Sequence, residues 1–104
     1  MSAEKKQTRD RFRRAVFARD RHRCKTCHIA SDDMDAHHIT DRNEMPGGGY
    51  VPENGISLCP QCHEKAEVFH RTGAPSPGFS ADELYALIGS SRELAVQASA
   101  RRTR

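Results

Sequence analysis

Apolar residues along this chain come in short bursts, none long enough to build more than a small element. Phe12, Val16 and Phe17 recur at i, i+4, i+5 spacing, which predicts an amphipathic helix from Thr8 to about Asp20. Arg11, Arg13 and Arg14 fall mostly on its other faces. Met34 to Thr40 reads as a short strand and Gly55 to Leu58 as a second. Between them Asp41 to Asn54 is a loop, marked by Pro46-Gly47-Gly48-Gly49 and Pro52. Pro60 suits the first position of a helix, predicted over Gln61 to about His70 and ended by Gly73 and the Pro75/Pro77 stretch. Ser80-Ala81-Asp82-Glu83 is a capping-box signature. It opens a final helix with Leu84, Leu87, Ile88 and Leu94 on its apolar face, and Gly89-Ser90-Ser91 as a break point. Arg101 to Arg104 reads as a frayed end.

A chain of 104 residues, 36% hydrophobic, 30% charged and without tryptophan, buries too little apolar surface for a large core. A single fold of this kind needs disulfides or a metal. Met1 to Arg14 is charged and lacks the apolar stretch of an export signal, and no run approaches the roughly eighteen apolar residues of a membrane span. The expectation is a cytoplasmic chain, without membrane association, whose thiols stay reduced and bind zinc. Cys24/Cys27 and Cys59/Cys62 are both C-x2-C, the spacing that lets one turn chelate with two sulfurs. The 31 residues between Cys27 and Cys59 exceed a compact zinc ribbon, so an insertion separates the knuckles. Cys59 falls near a helix N-terminus, where the backbone dipole favours a thiolate.

That insertion carries the only histidine doublet, His37-His38. Successive side chains on a strand point to opposite faces, so the two serve different tasks: one can bind a metal while the other approaches a substrate. His63 follows Cys62 on a helix, where neighbouring side chains diverge by about 100°. His63 therefore belongs to a second site, separate from the sulfurs. Glu67 shares the face of His63 and is a candidate third ligand, or simply a solvated carboxylate. His22, His28 and His70 read as incidental. Charge is uneven as well: residues 1–30 carry +7, residues 31–70 carry −6 and residues 71–104 carry +2. Basic flanks around an acidic centre suit a chain that grips phosphates at its edges and holds a cation in the middle.

Read together, Cys24-x2-Cys27, Asp35-Ala36-His37-His38-Ile39, Asn54-Gly55-Ile56-Ser57-Leu58 and Cys59-x2-Cys62-His63 resemble the HNH endonuclease family in its four-cysteine form. The resemblance covers about residues 20–70. It implies a small α+β fold, a ββα-metal finger with a four-cysteine structural zinc site, flanked here by N- and C-terminal helices. It also implies that His37 and His63 bind the catalytic cation, that His38 is the general base, and that Asn54 holds the loop between the strands. Some relatives have a further histidine where this chain has Glu67.

The chemistry agrees. Phosphodiester hydrolysis needs a deprotonated water and stabilised charge on the phosphate and leaving oxygen. An imidazole base contributes about 10²–10⁴ in rate, or about 3–5 kcal/mol, short of the roughly 8–23 kcal/mol enzymes supply. A metal must cover much of the difference. The expected cofactors are structural Zn²⁺ and catalytic Mg²⁺ or Mn²⁺, with Zn²⁺ or Ni²⁺ as substitutes. Arg11, Arg13, Arg14, Arg21, Arg23, Lys25 and Arg42 are candidate phosphate contacts, and the lack of an interleaved aromatic platform leans toward double-stranded DNA. The expected division is a basic arm over 1–20, a nuclease core over 21–72, and a linker and helix over 73–104. The rival reading is a non-catalytic zinc-finger module that binds nucleic acid or protein. A third is a DNA-processing subunit targeted by a protein partner.

Overall fold

The computed structural model describes residues 3–103. Helix α1 (Ala3–Arg19) leads to the first cysteine knuckle, then strand β1 (Asp35–His38), a loop of three 3₁₀ turns, strand β2 (Gly55–Leu58), and helices α2 (Pro60–Thr72), α3 (Ala81–Leu87) and α4 (Arg92–Arg102). The strands pair antiparallel, with Asp35 opposite Leu58 and His38 opposite Gly55. This is a small α+β fold of the ββα-metal finger type, with four cysteines gathered where β2 enters α2. Arg104 lies outside the described residues.

Helix α1 starts five residues earlier than its apolar spacing predicts. Its first turns bury nothing and consist of residues with good helix propensity. Further along, Phe12 and Val16 are buried against the sheet, and Phe17 packs at the core margin. Gly55 makes this approach possible: a Cβ there would come within 2.5 Å of Val16 and 2.7 Å of Phe12. The helix is tied down at its end as well. Arg19 grips both oxygens of Asp20 at 2.7 and 2.8 Å and donates to the carbonyls of Pro52 and Gly55. The buried Asp20 carboxylate accepts from the Ser57 amide in β2 at 2.9 Å. Burial opposes its charge, but Arg19 and Ser57 outweigh that and hold its pKa below the usual aspartate range.

The C-terminal half closes over the other side of the core. Gly73 ends α2 with φ +75°, a left-handed cap. Ser80 and Glu83 form the full capping box of α3, and Ser91 caps α4. The predicted break falls where Gly89 takes φ +67°, so two short helices replace one. Turning the chain there changes which side faces inward. Leu84 and Tyr85 are buried, but Leu87 and Leu94, expected in the core, are exposed; Ala95 and Ala98 take their place on α4. The predicted frayed end is helical through Arg102, which donates to the Gly47 carbonyl at 2.8 Å.

Candidate metal centres and nuclease site

Four sulfurs meet at the first centre. After α1 the chain passes through left-handed Arg21, His22 and His28, folding back so that the Cys24 amide donates to the Ile29 carbonyl and the His28 amide to the Cys24 carbonyl. This turn presents Cys24 and Cys27, while Cys59 and Cys62 flank the start of α2. All four Sγ atoms lie within 4.8 Å of one another. The Cys27–Cys59 separation is 3.7 Å, close to the edge of about 3.8 Å in a tetrahedron with roughly 2.3 Å zinc–sulfur bonds. Against its own burial, Cys24 is drawn down to about 6 by the Thr26 hydroxyl and nearby backbone amides. Cys62 is pushed up to about 12, by burial first and then by its neighbours Cys59 and Cys24. A dication that takes all four as thiolates resolves this conflict, and the group suits structural zinc.

The second centre lies across β1. His37 is buried and turns toward α2, its ring centroid 5.1 Å from those of both His63 and His70. Its Nδ1 lies 3.4 Å from Glu67. His37, Glu67 and His70 bring donor atoms within 4.8 Å of one another and could hold a metal. The two imidazoles suit a divalent first-row metal, and the carboxylate is the donor among the three that also suits Mg²⁺ or Mn²⁺. His63 borders this cluster, but its ring nitrogens face Asp35 and Glu67, each at 3.1 Å. His70, which looked incidental in the sequence, sits among the donors and also reaches the His38 carbonyl at 3.1 Å. The signal was there: residues 63, 67 and 70 share one helical stripe. Burial, then the neighbouring imidazoles, lowers His37 to about 3, leaving it neutral as a metal ligand must be.

His38 turns the other way. It stacks on Phe12 at 4.5 Å and meets Tyr50 edge-to-face at 4.8 Å. Its Nε2 is buried without a hydrogen-bond partner among the described residues. Burial, then the Arg42 cation, lowers its pKa to about 4. The ring is neutral at physiological pH but less basic than an ordinary imidazole. Asn54 is fully buried beneath. Its Oδ1 accepts from the Thr40 amide and the Tyr85 hydroxyl, and its Nδ2 donates to the Thr40 and Gly49 carbonyls. Every hydrogen-bonding capacity of that amide is used, and the loop is cross-linked at its root.

Both histidines of the doublet line one groove of about 570 Å³, together with Asp35, His63, Glu67, His70, Tyr50 and the cations Arg9, Arg13 and Arg42. Of the seven basic residues singled out in the sequence, Arg13 and Arg42 line this groove; Arg11, Arg14, Arg21, Arg23 and Lys25 do not. Arg9 joins instead. No helix among the described residues is long and apolar enough to cross a membrane. The family model described as HNH endonuclease matches residues 23–69, which span the knuckles, both strands and most of α2. No curated protein and no solved structure matches the chain.

Proposed function

With an HNH endonuclease domain at residues 23–69 as premise, we propose that this protein is a metal-dependent endonuclease that nicks or cuts double-stranded DNA by hydrolysis. One observation carries the reading. Adjacent residues of β1 face opposite ways in the same groove, His37 toward a cluster of metal donors and His38 toward Phe12 and Tyr50, within the field of the Arg42 cation.

In this reading His38 accepts the proton of the attacking water. It is neutral, as a base must be, and its buried Nε2 leaves Nδ1 as the nitrogen that can meet solvent. An anionic phosphate in the groove offsets the Arg42 charge and raises the basicity of the ring. Phe12 and Tyr50 fix the plane of the ring, and Asn54 fixes the backbone beyond it. His37, Glu67 and His70 would hold the catalytic Mg²⁺ or Mn²⁺, with His63, at the border of the cluster, as a further candidate ligand. Bound there, the cation would supply Lewis-acid stabilisation of charge on the scissile phosphate and the leaving oxygen. Arg13 and Arg42 grip phosphates of the bound strand.

Incubating supercoiled plasmid with the zinc-loaded protein tests this. Conversion to open-circular or linear DNA that depends on added Mg²⁺ or Mn²⁺ is the expected result. No conversion under any metal would leave a zinc-stapled binding module instead, and conversion only with a co-purifying protein would point to a targeted subunit.

A further inference from the structure

The groove does not end at the histidines. A second groove of about 520 Å³ continues from it, sharing Arg9, Arg42 and Tyr50 and adding Lys5, Thr8 and Arg102. Tyr50 organises this extension. Its hydroxyl accepts from Arg42 at 3.1 Å, and the Arg102 guanidinium lies 5.9 Å from its ring centroid. Arg102 is further fixed by its bond to the Gly47 carbonyl. Arg9, Arg42 and Arg102 have no carboxylate within 4 Å among the described residues, and Glu4 is the only acid on the lining. Helix α1, the loop after β1 and the last turn of α4 thus place three guanidiniums, none in an ion pair within 4 Å among the described residues, on one path that leads to His38, with Asp41 beside Arg42 where the two grooves meet. A merely solvated basic face would not need its arginines braced by a tyrosine ring and a backbone carbonyl.

We propose that this extension is a phosphate track: DNA flanking the scissile bond runs over Tyr50, with successive phosphates held by Arg9, Arg42 and Arg102. This rests on the nuclease reading for its substrate but not for its geometry. Arginine suits the task because its planar fork can meet two phosphate oxygens at once. The C-terminal helix is then part of the DNA-binding surface, although it lies outside the segment that carries the family match.

The test is the salt dependence of duplex binding. Fluorescence anisotropy is measured with the zinc-loaded full chain, without Mg²⁺ or Mn²⁺, across a series of NaCl concentrations. Removing one phosphate-gripping cation should lower the slope of log K against log salt by about one. Arg102→Gln and Arg9→Gln should each do so and the double variant should lower it by about two, while Arg102→Lys should retain it. Arg92→Gln, at the far end of α4 and outside both grooves, should leave it unchanged. Arg9 makes no hydrogen bond or ion pair within 4 Å among the described residues, so Arg9→Gln reads phosphate contact without removing a contact of the fold. An unchanged slope for Arg9→Gln and Arg102→Gln, or an equal fall for Arg92→Gln, would overturn the track. A chain that nicks DNA with unaltered slopes would sink the track and keep the reaction; one with the expected slopes that never nicks would do the reverse.

Discussion

The hydroxyl of Tyr85, on α3, donates to Oδ1 of Asn54, at the end of the loop between the strands, across 2.8 Å. Thr40 completes the relay, its own hydroxyl 2.7 Å from that of Tyr85. Burial raises the Tyr85 pKa, so the phenol keeps the proton it donates. A helix beyond the matched segment thereby braces the residue that anchors the His38 strand.

Tyr85→Phe should therefore destabilise the fold by about 1–3 kcal/mol, the cost of leaving buried hydrogen-bonding groups unpaired. The nicking rate should fall with it, because the loop root loosens. Urea unfolding measures the first effect and plasmid conversion the second. Wild-type stability in the variant would mean that Asn54 is held well enough by Thr40 and Gly49 alone.

Asp20 gives a pH signature. Its folded-state pKa lies below the unfolded value of about 3.9, so its contribution is fully present above that value and disappears as pH falls through the folded value. Asp20→Asn should cost about 1.5–3 kcal/mol near neutral pH, the range for hydrogen bonds to charged groups. The gap from wild type should be flat between roughly pH 5 and 7 and shrink below about pH 4. Denaturant melts of both chains across that range check it. A gap that widens in acid would contradict the assignment.

His70→Ala tests the donor set that the fold assembles. It should weaken binding of Mn²⁺ at the second centre by about 10-fold or more while leaving zinc in the first. Calorimetry with Mn²⁺ on the zinc-loaded chain reads this. Undiminished affinity would return the site to His37 and His63, the pair implied by the family resemblance.

Cys59→Ser should prevent folding, because zinc ligation of about 10–16 kcal/mol is a large share of folding energy in so small a chain. Circular dichroism with and without added zinc measures it. A cooperative, native-like melt would show that the core of Ile39, Ile56, Leu58 and Leu84 suffices without the four sulfurs.

Signals carried within a few residues were legible in the sequence. Both C-x2-C knuckles, β2, the Pro60 start of α2 and the Ser80 capping box follow from local spacing and turn chemistry. The opposite orientations of His37 and His38 followed from strand alternation. What depended on distant packing was not legible. The stripe of His63, Glu67 and His70 is visible in the sequence, but that His37 meets it depends on α2 lying alongside β1. Leu87 faces solvent because α3 buries its Leu84 and Tyr85 side, and Leu94 because the break at Gly89 redirects α4, which no periodicity within either helix reveals. Arg9 and Arg102 reach the groove because Gly55 lets α1 approach the sheet and α4 returns to Gly47. Their distant neighbours in space, rather than in sequence, set their position.

The proposed hydrolysis turns on His38 acting on the attacking water. The most direct test is the single-turnover nicking rate of His38→Ala at saturating metal, compared with wild type. A fall of about 10²–10⁴, with duplex affinity, zinc content and melting temperature unchanged, is the predicted result. A rate equal to wild type would contradict it.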